Sequence, residues 1–127
     1  MKTIIAGSRT FDDYQLLSDT MTRLEWEPSE IVSGGARGAD TLGEKWAAVH
    51  HIPLTVFPAA WDLWGRSAGY VRNQQMADYV GRSGGLVAFW DGSSRGTMNM
   101  IKLAEEKGMR VKVVTYESKK TNPVANI

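Results

Sequence analysis

Short apolar runs alternate along the chain with stretches in which apolar residues recur at helical spacing. Residues 2–6 (KTIIA) are rich in β-branched side chains, and residues 84–90 (GGLVAFW) are continuously apolar, as expected of a strand buried on both faces. Asp12 or Asp13 is the predicted N-cap of the first helix, and Gly108 is the predicted C-cap of the last. The pattern predicts five strands, over residues 2–6, 30–33, 53–58, 84–90 and 110–116, and four helices, over residues 12–26, 39–51, 68–80 and 96–108.

This alternation of strands and helices is typical of βαβ units, which build a parallel sheet covered on both faces. We therefore predict an α/β fold, a Rossmann-like three-layer sandwich with a five-stranded parallel sheet and helices on both faces. One domain is predicted over residues 1–116, and residues 117–127 (ESKKTNPVANI) form a polar segment without periodicity. That segment is predicted to be a loose C-terminal tail or an intersubunit arm.

The composition excludes several classes of protein. The chain of 127 residues has no cysteine and two histidines, His50 and His51, so we predict no disulfide framework, no metal site and no cofactor. No apolar run approaches the roughly 18 residues that span a bilayer, and the N-terminal run is too short for a signal peptide. These features predict a cytoplasmic protein that does not interact with membranes. The net charge of +1 argues against a polyanionic partner, so nucleic acid is an unfavoured ligand.

Three of the predicted strand-to-helix loops combine glycine, serine and arginine: residues 7–11 (GSRTF), 33–40 (SGGARGAD) and 91–97 (DGSSRGT). In a parallel sheet these loops meet at the carboxyl edge, where ligands bind. Glycine allows close approach of the backbone, a helix N-terminus favours an anion, and arginine binds phosphate or carboxylate with two parallel hydrogen bonds. The loops therefore predict a site for a small anionic ligand, with backbone N–H groups of residues 33–40 closing around a phosphate.

Each loop also has a purely structural interpretation. Glycine-rich turns between a strand and a helix occur for sharp geometry alone. Arg9, Arg37 and Arg95 are expected at one edge of the sheet, but Arg9 can instead pair with Asp12 or Asp13 on the surface.

The three loops, together with residues 61–78 (a tryptophan- and glycine-containing stretch followed by AGYVRNQQMAD), resemble the YspA-like branch of the SLOG superfamily. That superfamily also contains the lonely-guy phosphoribohydrolases and the DNA-processing protein A family. The resemblance runs through residues 1–116 and preserves the order of the motifs. It implies a Rossmann-like fold that binds nucleotides or nucleotide-derived ligands. It also implies a bacterial or phage origin, a homodimer or higher homo-oligomer, and for some members a role as sensors of nucleotide signals.

The resemblance to the phosphoribohydrolases is incomplete at one position. Arg72 takes the place of the catalytic arginine of that family, Met76 that of its methionine, and Gly96 and Thr97 those of its Gly-Thr pair. The catalytic glutamate of that family falls on Met100, whose thioether can neither carry a charge nor move a proton. The resemblance thus implies ligand binding more strongly than base-releasing hydrolysis.

The candidate catalytic residues are Arg72, Asp40 and Asp91. The two aspartates can substitute for the missing glutamate, or they can serve as N-terminal caps and first-turn charges of helices. Arg72 can contact the phosphate or ribose of a ligand, or it can be a solvated surface residue beside Asn73.

The five tryptophans fall into two groups. Trp26, Trp46 and Trp90 lie in or at the ends of predicted elements, where packing in the core is expected. Trp61 and Trp64 lie in the predicted loop after the third strand. They can stack on a base, hinge a lid or contact a second subunit.

The predicted function is binding of a nucleotide or nucleotide-derived small molecule, as a sensor or a sequestering domain. The alternatives are an N-glycosidic hydrolase acting on nucleoside monophosphates or related nucleotides, and a protein that binds single-stranded DNA. The predicted ligand-binding residues are Gly7, Ser8, Arg9, Ser33, Gly34, Gly35, Arg37, Gly38, Asp40, Trp61, Trp64, Arg72, Asn73, Asp91, Gly92, Ser93, Ser94, Gly96 and Thr97.

Overall fold

The computed structural model describes residues 1–117. The predicted tail, beyond its first residue, lies outside the described residues. The strands are β1 (Lys2–Gly7), β2 (Glu30–Ser33), β3 (Leu54–Val56), β4 (Gly85–Trp90) and β5 (Arg110–Thr115). The helices are α1 (Tyr14–Thr22), α2 (Ala39–Val49), α3 (Trp61–Trp64), α4 (Ala68–Val80) and α5 (Arg95–Lys107), with a 3₁₀ turn at Gly65–Ser67 between α3 and α4.

All five strands are parallel and lie in the order β3-β2-β1-β4-β5. β1 is central: Ile4 is paired with Val32 of β2 on one side and with Leu86 of β4 on the other. The chain winds outward from β1 to β3, then crosses back to β4 beside β1 and continues to β5. The winding therefore reverses between β1 and β4, and the predicted parallel α/β sheet is confirmed.

Alternate side chains of the central strands enter two separate cores. Ile4 of β1 lies in a cluster with Met76 of α4 and Met100 of α5. Ile5, the next residue, lies in the cluster on the opposite face with Leu17 of α1 and Ala47 of α2. The two isoleucines are fully buried, and each such side chain contributes about 1.5–3 kcal/mol of transfer free energy. The sheet is thus covered on both faces, as predicted.

The first helix is shorter than its sequence pattern predicts. Asp13 is its N-cap and accepts a hydrogen bond from the amide of Leu16 at 3.0 Å, which confirms one of the two predicted caps. The helix ends at Thr22 rather than at residue 26, because Trp26 turns away to the sheet. Its indole Nε1 donates to Thr3 Oγ1 at 2.9 Å, so this tryptophan packs outside the helix.

The third strand is also shorter than predicted, because prolines limit it at both ends. Pro53 and Pro58 lack an N–H donor and flank β3, which lies at an edge of the sheet. Leu54 and Val56 of β3 are 41% and 40% exposed. β3 is therefore more exposed than β2, the strand that pairs with it.

The segment after β3 is not the loop that the sequence predicts. Trp61–Trp64 forms a helical turn, and Gly65–Ser67 continues it as a 3₁₀ turn into α4. None of these seven residues is buried. Four residues are too few to show helical periodicity, so the sequence pattern does not predict this helix.

Within residues 1–117, no helix combines the length and the apolar composition that a membrane span requires.

Candidate functional site

A cavity of about 400 Å³ opens at the carboxyl edge of the sheet, between the loops that follow β1 and β4. This is the position at which the winding reverses, where ligands bind in open parallel sheets. Side chains from α4 and from the first turns of α2 and α5 complete its walls. The lining residues are Ala6, Gly7, Ser8, Arg9, Thr10, Ala36, Asp40, Trp61, Arg66, Gly69, Tyr70, Arg72, Asn73, Met76, Asp91, Ser94, Gly96, Thr97 and Met100.

A second cavity, of about 310 Å³, adjoins the first. The two share a wall made of Arg9, Ala36, Trp61 and Arg72. The other lining residues of the second cavity come from the loops after β2 and β3: Gly34, Gly35, Arg37, Pro58 and Ala59. We call the first the switch-point cavity and the second the Arg37 cavity.

The structure brings most of the predicted site residues together around these two cavities. The predicted residues that line the switch-point cavity are Gly7, Ser8, Arg9, Asp40, Trp61, Arg72, Asn73, Asp91, Ser94, Gly96 and Thr97. Those that line only the Arg37 cavity are Gly34, Gly35 and Arg37. Those that line neither cavity are Ser33, Gly38, Trp64, Gly92 and Ser93. Arg95, which was expected at the same edge, lines neither of the two either.

Several polar groups of the loop after β2 have partners within the protein. Ser33 is fully buried, and its hydroxyl donates to Glu44 Oε2 at 2.7 Å and accepts from the amide of Gly35 at 3.1 Å. The amide of Ala36 donates to Asp40 Oδ2 at 3.1 Å. The hydroxyl of Ser33 and the amides of Gly35 and Ala36 are thus engaged inside the loop, and their closing around a phosphate stays a prediction.

The glycines of this loop make room for other parts of the protein. A Cβ on Gly34 would overlap the guanidinium of Arg72 and lie 2.9 Å from Asp40 Oδ2. Gly38 has φ +77°, and a Cβ there would collide with the backbone of Ser8 in the loop after β1. The glycines thus allow the loops after β1 and β2 to pack closely and Arg72 to reach between them.

Arg72 extends from α4 into the wall between the cavities. Its Nη1 donates to the carbonyl oxygen of Gly34, and its Nε donates to Asn73 Oδ1 at 3.0 Å. Burial lowers its pKa, the charge of Asp40 raises it, and the charge of Arg9 lowers it further. Arg72 is therefore a partly buried, oriented cation and not the solvated surface residue that one interpretation of the sequence allowed.

Asp40 lies in the first turn of α2 and faces the switch-point cavity. It is only 5% exposed, and its Oδ2 accepts the hydrogen bond from the amide of Ala36. Burial raises its pKa to about 6, against the opposing effects of the Ala36 amide and of the charge of Arg72. Glu44, one turn along the helix, raises the pKa as well. This carboxyl group can thus exchange a proton near neutral pH.

The first turn of α5 forms another wall of the same cavity. Asp91 Oδ1 accepts from the amides of Ser93 and Ser94 at 2.9 and 2.8 Å. Partial burial raises the pKa of Asp91, but these donations outweigh it and leave that pKa lowered. Ser94 is the N-cap, and its Oγ accepts from the amide of Thr97. Asp91 therefore stabilises the turn that precedes α5, whereas the N-cap is Ser94.

Asn73 connects α4 to this turn. Its Nδ2 donates to the carbonyl oxygen of Gly96 at 3.1 Å and to Asn99 Oδ1 at 2.9 Å, while its Oδ1 accepts from Arg72. Asn73 is 5% exposed and has these three polar partners, so it fixes the position of the α5 N-terminus relative to Arg72.

The two tryptophans of α3 have different surroundings. Both are about half exposed, but Trp61 lines both cavities and Trp64 lines neither. The guanidinium carbon of Arg9 lies 5.8 Å from the centre of the Trp61 ring, within the range of a cation–π contact. Trp61 is thus available to a ligand in either cavity.

Several residues of the switch-point cavity were not predicted as ligand-binding. They are Ala6, Thr10, Ala36, Arg66, Gly69, Tyr70, Met76 and Met100. Arg66 lies in the connection that follows β3 at the carboxyl edge, and Tyr70 lies in the first turn of α4. Residues 65–69 contain an arginine and two glycines, the same combination as in the other three loops. The sequence alone was therefore sufficient to predict that this segment belongs to the site.

The side chains around the cavities combine four arginines with a helix N-terminus and a buried carboxyl group. Such an arrangement binds anions and can move a proton at Asp40. Among residues 1–117, no group of three His, Asp or Glu side chains is arranged to hold a metal ion.

Comparisons with known proteins give one family and one relative. The model of the YspA, cpYpsA-related SLOG family matches residues 1–64. The gene 61 protein of Mycobacterium phage D29 is 33% identical over 121 residues, which cover 87% of this chain and 93% of the phage protein. No solved structure matches the chain.

Proposed function

The chain belongs to the YspA, cpYpsA-related SLOG family, and on that premise we propose that it binds a nucleotide or a nucleotide-derived small ligand in the switch-point cavity. The role proposed is that of a sensor or sequestering domain. One observation carries the proposal. Arg9, Arg66 and Arg72 line the same cavity as the first turn of α5, and this cavity lies where the winding of the sheet reverses. A phosphate has an oriented cation and helix-terminal N–H groups as partners there.

The shape of the site supports a small molecule rather than a nucleic acid. The cationic side chains line two cavities of limited volume, and the net charge of the chain is +1. Proteins that bind single strands combine a long basic track with several stacking aromatics. Among residues 1–117, the aromatic side chains that line the two cavities are those of Trp61 and Tyr70, and no long basic track adjoins them in either lining.

Thermal unfolding against a panel of nucleotides tests the proposal. The panel contains nucleoside mono- and diphosphates, NAD, ADP-ribose and cyclic nucleotides, each near millimolar concentration. A ligand present at 100 times its Kd adds about 2.7 kcal/mol to the free energy of unfolding, which raises the Tm by several degrees.

Two variants make this test specific. Arg9→Ala removes a cation of the site, and the shift should fall with it. Arg82→Ala is the matched control, because Arg82 is exposed near the start of β4, at the opposite end of the sheet. An unchanged Tm across the whole panel rejects the proposal, and so does an equal loss of the shift in both variants.

A second candidate function is cleavage of an N-glycosidic bond, and Asp40 is the observation that favours it. This carboxyl group faces the switch-point cavity, and its pKa is raised to about 6. It can therefore donate or accept a proton, which the thioether of Met100 cannot do. Arg72 would hold the phosphate of the substrate beside it.

Release of free base from nucleoside monophosphates separates the two functions. An enzyme releases base above the uncatalysed rate, loses that rate in Asp40→Asn and shows a pH profile that breaks near 6. A binder shifts in Tm with the same compounds but releases no base.

The proposal also includes a homodimer or higher homo-oligomer. The exposed apolar side chains of Leu54, Leu63 and Trp64 support it, because such side chains are commonly covered in assemblies. The molar mass from light scattering tests it, and Leu63→Lys should reduce that mass. The predicted cytoplasmic location stays a prediction.

A further inference from the structure

The Arg37 cavity has a charge composition that differs from that of its neighbour. Three guanidinium groups line it, those of Arg9, Arg37 and Arg72. Among its lining residues in the described chain, none is acidic. The switch-point cavity, by contrast, is lined by two carboxylates, Asp40 and Asp91, as well as by arginines. The Arg37 cavity is therefore the more strongly cationic of the two.

Arg72 has hydrogen-bonding capacity left for a ligand. A guanidinium group has five N–H donors, and within residues 1–117 two of those of Arg72 are used, toward Gly34 and Asn73. The other N–H donors of Arg72 have no partner within residues 1–117, and the side chain lines both cavities, so these donors are available to a ligand.

The arginines around the shared wall also repel one another. Burial is the main reason that the pKa of Arg72 is lowered; the charge of Asp40 raises that pKa, and the charge of Arg9 lowers it by a smaller amount. An anion in the Arg37 cavity would lie against both cations and relieve this repulsion. A phosphate group suits the site because guanidinium forks bind it with two parallel hydrogen bonds.

We propose that the ligand carries a second phosphate group and that this phosphate occupies the Arg37 cavity while the first lies in the switch-point cavity. The inference rests on the proposed nucleotide-binding function and narrows the ligand to a doubly phosphorylated nucleotide. The shared wall supports a single ligand that reaches both cavities, because Arg9, Trp61 and Arg72 face each of them.

Isothermal titration calorimetry at one fixed ionic strength tests the inference. The probes are the 5′-monophosphates, 5′-diphosphates and 3′,5′-bisphosphates of adenosine, guanosine, cytidine and uridine. The diphosphates hold their two phosphates adjacent, and the bisphosphates hold them apart on the sugar. The proteins are the unaltered chain, Arg37→Ala and Arg82→Ala. Arg37 and Arg82 are both exposed, but only Arg37 lines a cavity, so both variants lose the same charge and only one loses a ligand contact.

We expect one doubly phosphorylated form to bind at least about tenfold more tightly than the monophosphate of the same nucleoside. Arg37→Ala should abolish that gain and leave the Kd of the monophosphate within about twofold, whereas Arg82→Ala should leave both unchanged. If the 5′-diphosphate shows the gain in affinity, the two phosphates of the ligand are adjacent. If the 3′,5′-bisphosphate shows it, they are separated by the sugar.

The outcomes distinguish this inference from the function on which it rests. Binding of monophosphates with no gain from a second phosphate overturns the inference and leaves the proposed function standing. A gain that survives in Arg37→Ala overturns it as well, since the second phosphate then binds elsewhere. No binding of any probe overturns the inference, and it rejects the proposed function too when the Tm is also unchanged across the wider nucleotide panel.

Discussion

The guanidinium group of Arg72 occupies the space that a Cβ at Gly34 would need, and it donates a hydrogen bond to the carbonyl oxygen of the same glycine. These residues are 38 positions apart in the chain. The contact joins α4 to the loop after β2 and thereby orients the cation in the wall between the two cavities.

Gly34→Ala should displace Arg72 and break this hydrogen bond. Because the bond has a charged donor, we expect a loss of about 1–3 kcal/mol in the free energy of unfolding, measured by urea titration. Nucleotide affinity should fall in the same variant. Gly96→Ala is the control for stability, because a Cβ on Gly96 meets no atom within 4 Å. An unchanged free energy in Gly34→Ala would mean that Arg72 is not held by the loop.

The raised pKa of Asp40 predicts a pH dependence of stability. The folded state holds this proton with a pKa of about 6, against an ordinary value of 3.8, so protonated Asp40 favours folding. The stabilisation is complete below about pH 4 and is lost as the pH rises through about 6, at a cost on the order of 3 kcal/mol.

Asp40→Asn isolates this effect, since an asparagine oxygen still accepts from the amide of Ala36. The free energy of unfolding of the unaltered protein, minus that of the variant, should decline between pH 4 and pH 7. A difference that does not vary with pH would place the pKa of Asp40 near its ordinary value.

Asn73→Ala should destabilise the protein by about 1–3 kcal/mol, because it leaves the partly buried Nε of Arg72 and the carbonyl oxygen of Gly96 without their partner. It should also weaken nucleotide binding, since the α5 N-terminus loses its connection to α4. Asn99→Ala removes a single contact of the same group and should cost less. Equal losses in the two variants would contradict the central position assigned to Asn73.

Trp61→Ala should lower nucleotide affinity about tenfold or more, because stacking of a base on an aromatic ring contributes about 1–3 kcal/mol. Trp64→Ala is a close match, with the same residue type in the same helix and nearly the same exposure. It should leave the affinity unchanged, because Trp64 lines neither cavity. Calorimetric titration with the tightest-binding nucleotide measures both, and an equal effect in both would exclude stacking on Trp61.

The sequence was sufficient to predict the sheet and most of its helices. The predicted α4, over residues 68–80, has the observed bounds, and β2 has them too. In both cases the apolar spacing along the sequence ends at the same residue as the helix or strand, so neighbouring residues alone determine the bounds. The predicted end of α1 at residue 26 was wrong, because Trp26 contacts Thr3, which lies 23 residues earlier in the chain.

The candidate site was predictable as a location but not as a set of contacts. Glycine in residues 33–40 indicates close approach of another group, and the sequence leaves open which group approaches. In the structure it is Arg72 at Gly34 and the backbone of Ser8 at Gly38. Ser33 was predicted as a phosphate ligand because serine is a common donor, whereas its partner Glu44 is set by the orientation of α2. Long-range packing decides each of these contacts.

The central position of β1 has a consequence for the synthesis of the chain. β1 is made before the other four strands. One of its neighbours, β2, follows within about 30 residues, whereas the other, β4, begins at Gly85, which pairs with Thr3. On the ribosome, one side of β1 therefore remains without its partner until about residue 90 has emerged. Pairing across such a sequence separation is slow, and an unpaired strand edge is prone to association with other chains. The nascent N-terminal half, which contains the first two glycine-rich loops, thus depends on the arrival of β4 before its binding edge exists.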